Sequence, residues 1–423
     1  MTKKSDAPAI RFKGFSDAWE QRKLGDIADI VGGGTPSTGN QSYWDGDIDW
    51  YAPAEIADQI YANSSQKKIT GLGYENSSAK MLPPGTVLFT SRAGIGKTAI
   101  LTRKGCTNQG FQSIVPHRGE LDSYFIFSRT EELKRYGELV GAGSTFVEVS
   151  GKQMAVMELM MPPTMREQQT IGGFFQQLDH LITLHQRKFE KLTNVKKSML
   201  EKMFPQNGSS YPIIRFKGFT DPWEQRKFDE VFDCTVPNNT LSRAELSYDE
   251  GTVLNVHYGD VLIKYGSVLD VQKDDIPRIP HRCREDFNGA LLQDGDVIIA
   301  DTAEDETTGK ACEIGNLQGS AIVSGLHTMV CRPRNRMALG YLGYYLNSNA
   351  YHHQLLPLMQ GIKVLSLSRS NIQKTSVSYP IAVKEQQLIA YYFSQLDNLI
   401  TLHQRELEKL QNIKKSMLEK MFV

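Results

Sequence analysis

The feature that most constrains this chain is an internal duplication. Residues 10–23 read IRFKGFSDAWEQRK and residues 214–227 read IRFKGFTDPWEQRK, at an offset of 204 positions. A second pair of blocks, 166–204 and 384–422, aligns without gaps at an offset of 218, and 28 of its 39 positions are identical. Because solenoid repeats are roughly 20 to 50 residues long, this much longer period indicates duplicated domains rather than a stacked array.

Between the duplicated blocks the two halves diverge almost completely. We call the duplicated blocks the frame, and the divergent segments, residues 24–160 and 228–378, the first and second modules. Short runs rich in Val, Ile, Tyr and Phe, such as Thr86–Thr90 and Val297–Ala300, are bounded by Gly, Pro, Asn and Asp. Apolar runs separated by turn-forming residues predict strands joined by turns. Each module is also large enough to have its own hydrophobic core.

The frame blocks that close each half predict long helices. They contain no proline from 167 to 204 or from 385 to 422, and about 36 residues at ~1.5 Å each give a length of ~54 Å. Apolar side chains recur every three or four residues, which is typical of a coiled-coil seam. The predicted seam consists of Leu178, Ile182, His185, Phe189, Leu192, Val195, Met199 and Met203, with Leu396, Ile400, His403, Leu407, Leu410, Ile413, Met417 and Met421.

Two helices with matching stripes can bury each other, so we expect them to pair. The linker PQNGSSYP (205–212) directly after the first helix lets the next module fold back, which favours antiparallel pairing. The alternative is that each helix packs separately on its own module.

The predicted fold class is α+β, with two α/β domains in a pseudo-two-fold arrangement, separated by two long helices that form an antiparallel coiled coil. The predicted segments are 1–164 (first module with its frame block), 165–204 (first long helix), 205–213 (linker), 214–382 (second module with its frame block) and 383–423 (second long helix).

The charge balance, the hydropathy and the cysteines of the sequence exclude several classes of protein. Forty-eight Lys and Arg balance forty-eight Asp and Glu, which excludes a polycation that holds nucleic acid by bulk charge. No stretch approaches the ~18 consecutive apolar residues of a membrane helix. Residues 1–8 lack the apolar core of a signal peptide, and the five cysteines are scattered. We therefore expect a cytoplasmic protein in a reducing compartment.

Motifs for catalysis are missing. SRAGIGKTA (91–99) has Ser91 where a phosphate-binding loop needs glycine, and VGGGTPSTG (31–39) has Ser37 at the last glycine position of a dinucleotide loop. His281 with Cys283, and His352 with its neighbour, lack metal-ligand spacing. There is no Asn/Asp-Pro-Pro-aromatic methyltransferase signature. We expect no catalytic residues, no metal site and no cofactor in this chain.

This organisation resembles the specificity (S) subunit of type I restriction-modification systems. The resemblance covers essentially the whole chain and is carried by the duplicated RFKGF-[ST]-D-x-W-E-Q-R-K block, the EQQ-x-I helix starts, the LITLHQR and KKSMLEKMF tracts, and the divergent modules. It implies two target recognition domains, each reading one half of a bipartite, asymmetric site in double-stranded DNA. It also implies two methyltransferase (M) subunits and restriction (R) subunits as partners, which would carry S-adenosylmethionine, ATP and Mg.

In that family the module loops meet DNA, so the expected contacts are loop positions with hydrogen-bond donors or flat rings. Arg, Lys, Asn and Gln can read base edges or bind phosphate, and Ser and Thr mostly reach the backbone. In the first module these are Thr35, Ser37, Tyr43, Trp44, Arg92, Lys97, Asn108, Gln109, Ser144, Thr145 and Lys152. In the second they are Asn238, Asn239, Tyr258, Lys264, Tyr265, Arg278, Lys310, His327, Lys363, Ser366 and Arg369. The second set is the weaker prediction, because that module lacks the GGGTPS loop and has Thr302 in place of Arg92.

Two other functions are compatible with parts of the sequence. A self-contained DNA methyltransferase-nuclease would need the missing motifs. A coiled-coil assembly protein that never reads sequence would explain the helices, but not the divergence of the modules inside an almost unchanged frame.

Overall fold

The computed structural model describes residues 7–57, 59–92, 94–141, 148–206 and 208–422. The chain forms two compact units. Unit 1 contains Met1–Gln186 and Arg405–Val423, and unit 2 contains Arg187–Gln404. The sequence predicted the long helices as separate segments, whereas each unit incorporates one half of both helices. The physical reason is that the apolar stripes of the helix halves pack into the cores of the units.

Unit 1 is built from short strands and helices before its long helix. Its strands are β1 (Glu20–Lys23), β2 (Ala28–Gly32), β3 (Trp44–Tyr51), β4 (Tyr61–Ala62), β5 (Lys67–Ile69), β6 (Val87–Phe89), β7 (Thr98–Leu101), β8 (Cys106–Thr107), β9 (Gln112–Pro116) and β10 (Glu158–Met161). Its helices are α1 (Leu24–Ile27), α2 (Gly71–Glu75), α3 (Ser123–Phe127), α4 (Thr130–Gly141) and α5 (Gly151–Ala155), followed by the start of α6 (Met165–Lys202).

Unit 2 has a similar series. Its strands are β11 (Glu224–Lys227), β12 (Phe232–Asp233), β13 (Val253–Val256), β14 (Val268–Asp270), β15 (Arg278–Ile279), β16 (Val297–Ala300), β17 (Thr302–Ala303), β18 (Ala311–Gly315), β19 (Ala321–Ser324), β20 (Thr328–Pro333), β21 (Leu365–Ser366) and β22 (Ser376–Tyr379). Its helices are α7 (Phe228–Val231), α8 (Tyr258–Ile263), α9 (Tyr341–Leu346), α10 (Asn349–His352) and α11 (Arg369–Ile372), followed by the start of α12 (Val383–Met421).

The two modules share one sheet topology. The described strands of unit 1 form a five-stranded sheet in the order β2-β9-β6-β7-β4, a three-stranded sheet β5-β3-β8 and the pair β1-β10. Unit 2 repeats this order as β12-β20-β16-β18-β14, β15-β13-β19 and β11-β22. The parallel pairs also coincide: β4–β7 corresponds to β14–β18, and β3–β8 to β13–β19. Divergent sequences therefore fold into equivalent scaffolds, and the predicted α+β class is confirmed.

The central strand of each large sheet explains this equivalence. Every residue of β6 (VLF) and β16 (VIIA) is buried, which confirms the two predicted strands. A strand that is covered on both faces carries a continuous apolar run instead of an alternating one. The echo between PGTVLFTSR and DGDVIIADT marks this same central strand in both modules.

The two long helices run antiparallel within each unit. In unit 1 the ring of Phe175 on α6 stacks on Phe422 at 5.8 Å, and Lys414 Nζ lies 2.6 Å from Asp179 Oδ1. In unit 2 Phe204 stacks on Phe393 at 5.8 Å, and Lys196 Nζ lies 2.5 Å from Asp397 Oδ1. Each of these contacts in unit 1 has an equivalent in unit 2 at positions that differ by 218. The residue that α6 supplies in unit 1 is supplied by α12 in unit 2, and the reverse, as expected for a duplicated frame.

The predicted seam lies on these packed faces. Leu178 and Met421 belong to the core of unit 1, and Leu396 and Met203 to the core of unit 2. Met203 lies one residue beyond α6 but its N–H still bonds to Met199 O at 2.8 Å. Leu407 is buried as well. The remaining seam positions, which are half-buried, are Ile182, His185, Phe189, Leu192, Val195, Met199, Ile400, His403, Leu410, Ile413 and Met417.

The frame blocks close each unit around a helix end. The N–H of Ile10 bonds to Lys420 O at 2.9 Å, and the N–H of Ile214 bonds to Lys202 O at 2.9 Å. In both units the block that opens one half therefore meets the end of the helix from the other half.

Among the described residues, neither long helix is apolar enough over its length to cross a membrane, and no shorter helix is long enough.

Candidate nucleic-acid interface

In the first module, backbone hydrogen bonds gather four loop segments at one edge of the sheets. The N–H of Gly34, in the loop after β2, bonds to Thr107 O at 2.8 Å. The N–H of Ser91, in the loop after β6, bonds to Gly110 O at 2.8 Å, and Ser91 O accepts from Val149 N at 3.0 Å. We call this meeting point, residues 33–37, 90–92, 108–110 and 148–150, the first loop edge.

Four residues of the first module's predicted set lie together at this edge. The Thr35 hydroxyl hydrogen-bonds to the side chain of Gln109. Asn108 Oδ1 accepts from Gly110 N at 2.8 Å. A methyl group added at Gly110 would lie 3.4 Å from Arg92 Nε and 3.0 Å from Asn108 Oδ1, so these two polar side chains flank the same glycine. Four of the predicted residues therefore form one contiguous polar surface.

An aromatic group adjoins the first loop edge. Trp44 Nε1 donates to Ser37 O at 3.2 Å, and its half-buried ring meets Trp50 edge to face at 5.1 Å. Trp50 Nε1 in turn donates to Gly34 O at 2.8 Å, inside the first loop edge. Tyr43 precedes Trp44, is half-buried, and accepts a backbone bond from Thr70 N at 3.0 Å. A half-buried indole ring therefore lies beside the polar surface.

The other predicted residues of this module are not among those that form the first loop edge. Lys97 is exposed at the far end of the loop after β6, where its carbonyl accepts from Thr90 N at 3.0 Å. Lys152 is exposed on α5. Ser144 and Thr145 lie outside the described residues.

The second module builds the same edge with other residues. The N–H of Asn239 bonds to Ser324 O at 2.8 Å, as Gly34 bonds to Thr107. The N–H of Asp301 bonds to His327 O at 3.1 Å, and Asp301 O accepts from Leu367 N at 2.8 Å. We call residues 238–239, 301–302, 325–328 and 365–367 the second loop edge.

Different side chains line this second loop edge. Asn238 Nδ2 donates to Thr328 O at 3.0 Å. His327, in a left-handed conformation (φ 54°), places its ring edge to face with Tyr258 at 5.4 Å and its Nδ1 3.4 Å from Asp301 Oδ1. In the backbone pairing of this edge, Ser366 lies opposite Thr302. At the equivalent place in the first module, Glu148 lies opposite Arg92 in a backbone bridge. The two modules therefore offer distinct sets of donors and acceptors at one common place.

The structure corrects two of the predicted positions in this module. The sequence predicts an exposed ring on a loop for Tyr265, but this residue is 3% exposed and lies in the core, where burial raises the pKa of its hydroxyl. Lys310 Nζ donates to Leu262 O at 2.8 Å and to Tyr265 O at 3.2 Å, and burial lowers its pKa. Lys310 thus binds the carbonyls at the end of α8, so neither residue belongs to the candidate surface.

Three more predicted residues are held by contacts within the protein. Asn239 Nδ2 donates to Asn255 Oδ1 at 2.6 Å and Ser324 O at 2.9 Å, so its side chain shapes the second loop edge. Lys264 Nζ lies 2.9 Å from Asp275 Oδ2. Arg278 Nη1 donates to Gly251 O at 3.3 Å.

The two remaining predicted residues, Lys363 and Arg369, are exposed on the loop and helix that flank β21.

The sequence interpretation missed two acidic residues. Glu148 forms a backbone β-bridge with Arg92, and Asp301 takes the place of Ser91 in the second loop edge. The predicted set contains only side chains with hydrogen-bond donors or flat rings, although a carboxylate can accept from the amino group of cytosine. The alignment of the two central strands, which sets Asp301 opposite Ser91, is the signal that could have found it.

Two buried polar atoms lie at or beside these edges, one on Ser91 in the first and one on Asn255, which contacts Asn239 of the second. Within the described part of the chain, Ser91 Oγ and Asn255 Nδ2 have no hydrogen-bond partner. Buried polar atoms are ordinarily paired with protein or water. Within the same ranges, no three His, Cys, Asp or Glu side chains come together as a metal site would require.

The family comparison covers both halves of the chain. The model for the type I restriction modification DNA specificity domain matches twice, at residues 16–194 and 220–412. The MjaIX specificity subunit of Methanocaldococcus jannaschii is 34% identical over 222 residues, which are 52% of this chain and 49% of that protein. The chain thus spans about half the length of this relative.

Two further proteins are similar over nearly their whole length. The MjaVIII specificity subunit of the same organism is 20% identical over 412 residues, 95% of this chain and 91% of that protein. The crystal structure of an S subunit from M. genitalium has the same fold, with a TM-score of 0.56 at 13% identity over 99% of each chain. Two family domains, matching both modules and most of the frame, show that this chain belongs to the type I restriction modification DNA specificity domain family.

Proposed function

We propose that this chain is the specificity subunit of a type I restriction-modification complex, in which each module reads one half of a bipartite, asymmetric DNA target. One observation carries the proposal: the two loop edges are built by equivalent backbone hydrogen bonds, yet their side chains differ. A constant scaffold with variable polar groups is what two readers of different half-sites require.

The side chains suit direct readout of bases. In the first loop edge, Arg92 can donate two hydrogen bonds to guanine, and Asn108 and Gln109 can pair with adenine. In the second loop edge, Asn238 and His327 offer donors and Asp301 an acceptor. Since the chain has no net charge, binding must come from such local groups and not from bulk attraction.

The frame supports the assembly part of the proposal. Leu181 and Leu184 on α6 are 41% and 40% exposed, and their duplicates Leu399 and Leu402 on α12 are 43% and 52% exposed. Apolar side chains kept unchanged and exposed in both LITLHQR tracts are typical of a docking surface. Two equivalent surfaces fit two copies of one partner, which we assign to the M subunits.

The chemistry then belongs to the partners. On this proposal, M subunits bind S-adenosylmethionine and methylate adenine, and R subunits use ATP and Mg. This chain supplies the specificity for the DNA sequence and the frame on which those subunits assemble.

The test is reconstitution of the full chain with and without M subunits. We expect retention of a specific duplex that unrelated competitor DNA does not displace, and methyl transfer only when M subunits are present. Exchange of Leu181 and Leu399 for Asp should abolish M binding and leave DNA retention unchanged. Methyl transfer by the isolated chain, or DNA retention that any competitor displaces equally, would contradict the proposal.

A further inference from the structure

A small hairpin projects from the second loop edge. The N–H of Gln360 bonds to Ser366 O at 3.0 Å, and the N–H of Ser366 bonds to Gln360 O at 2.8 Å. On its other side, β21 pairs with β17, so that Ser366 lies opposite Thr302. The base of the hairpin is therefore part of the candidate interface.

The conformation of the hairpin is fixed by one glycine. Gly361 has φ 128°, a left-handed value that side chains rarely tolerate, and an added methyl group would lie 1.9 Å from Val364 O. The Thr308 hydroxyl also donates to Leu365 O at 3.3 Å. The tip is thus a defined turn closed by backbone and side-chain bonds.

The tip of this hairpin is apolar. Ile362 is 99% exposed and Val364 is 51% exposed, with the exposed cation Lys363 between them. A β-branched side chain is stiff, so it loses little conformational freedom when it is inserted into a partner. The hairpin therefore combines a rigid apolar tip, an adjacent cation and a polar base. A tip of this kind can insert between the stacked base pairs of DNA while the cation contacts a phosphate.

We propose that Ile362 inserts between two stacked base pairs of the second half-site while Lys363 contacts the adjacent phosphate. This inference rests on the proposed function and extends it to the shape of the DNA. Apolar side chains that wedge between neighbouring base pairs partly unstack that step and bend the duplex by roughly 20 to 90°. Flexible pyrimidine–purine steps are the ones that open most readily, so the wedge adds specificity without a base-edge contact.

DNA is the favoured occupant because of what surrounds the hairpin. Its base adjoins Thr302 and the second loop edge, and its tip carries Lys363. Arg369, exposed three residues after β21, adds a second cation on the same segment. A partner protein at the tip is the alternative that the experiment distinguishes.

The experiment measures bending and unstacking with the full chain assembled with its M subunits. The probe is a duplex of about 40 base pairs, roughly four helical turns, that contains the sequence methylated in cells with the wild-type chain. Dyes at both ends report the bend by energy transfer, and 2-aminopurine, moved through the second half-site, reports unstacking. The variants are Ile362→Ser and Ile362→Leu, with Leu339→Ser as the control.

Leu339 is a matched control because it is an exposed apolar residue of the same module, 49% exposed, and lies against Gly315 at the end of β18. We expect a bent duplex and one bright 2-aminopurine position with wild type, Ile362→Leu and Leu339→Ser. Ile362→Ser should lose both signals and bind about tenfold more weakly, the size of effect of one mismatched base pair.

Several outcomes would overturn the wedge. If wild type binds specifically but leaves the duplex straight, or if Ile362→Ser bends it equally, the wedge is wrong and the proposed function stands. If Ile362→Ser loses M subunits and keeps the bend, the tip contacts protein instead. If wild type shows no sequence preference, the wedge fails together with the proposed function.

Discussion

Arg11 and Glu167 form a two-point ion pair that fastens the opening frame block to the first long helix. Arg11 Nε donates to Oε1 at 2.7 Å and Nη2 donates to Oε2 at 2.8 Å. Trp19 Nε1 donates to the same Oε1 at 3.3 Å, and the Glu167 side chain is 1% exposed. The hydrogen bonds to Glu167 raise the pKa of Arg11 above its ordinary value.

The same arrangement recurs in the second half. Arg215 donates to Glu385 at 2.7 and 2.9 Å, and Trp223 Nε1 donates to Glu385 Oε1 at 3.3 Å. Near-identical geometry at duplicated positions explains why the RFKGF block and the EQQ start of each helix are retained together.

Removing one partner of this pair should be costly. Glu167→Ala leaves a largely buried guanidinium without its counter-charge, so we expect a loss of about 3–5 kcal/mol in the free energy of unfolding, measured by urea denaturation. The control is Glu120→Ala, which removes the exposed partner of Arg22 and should cost less than about 1 kcal/mol. Equal losses in the two variants would show that the buried pair does not secure the frame.

Charge in the helix seam should destabilise the protein, whereas charge on the outer face should not. Leu192 packs against the core of unit 2, so Leu192→Asp should cost several kcal/mol, roughly 2–5, through lost packing and desolvation. Leu181→Asp alters an exposed position of the same helix and should leave the melting temperature unchanged. An unchanged melting temperature for Leu192→Asp would refute the seam.

Glu313 should make the stability of unit 2 depend on pH. Its carboxylate accepts from Gly340 N at 2.9 Å and Gly343 N at 2.8 Å. Burial raises its pKa from the ordinary 4.5 to about 7, against the effect of those bonds. Between these values the unfolded chain has lost the proton that the native state keeps, so stability falls as pH rises from 4.5 to 7.

The corresponding measurement compares wild type with Glu313→Gln across this pH range. The stability difference, wild type minus variant, should fall by about 3 kcal/mol from pH 4.5 to above 7. Glu304→Gln, at an exposed position of the same module, is the control. A difference that is constant with pH would show that Glu313 does not titrate as its burial indicates.

Arg92 and Lys97 should affect DNA binding differently. Arg92→Ala should cost about 1–3 kcal/mol in binding and relax the preference at one base pair, since Arg92 lies in the first loop edge. Lys97→Ala should weaken all sequences alike and reduce the salt dependence by about one charge. Selection from a degenerate library at two salt concentrations separates the two; uniform weakening by Arg92→Ala would assign that residue to phosphate.

The frame could be predicted from the sequence because it is written twice. Matching stripes from Leu178 and Leu396 onward predicted two helices that pair, and the structure confirms this within each unit. The partners of the frame could not be predicted, because nothing in local spacing links Arg11 to Glu167, 156 positions away.

The modules were predictable only in part. A continuous apolar run predicted the central strands, but whether a ring or cation near a strand end points outward depends on the tertiary packing. Tyr265 and Lys310 were therefore placed on the surface, although one lies in the core and the other binds the carbonyls of α8. The loop edges depend on backbone bonds such as Ser91 to Gly110, which leave no pattern in the sequence.

The central claim, that each module reads its own half-site, is tested most directly by mapping methylated adenines in DNA after a module exchange. Residues 24–160 are replaced by the same region of a homologue, inside the unchanged frame and with the native M subunits. We predict that one half of the methylated motif changes while the other half and the gap between them stay the same. A change in both halves, or in neither, would contradict the account.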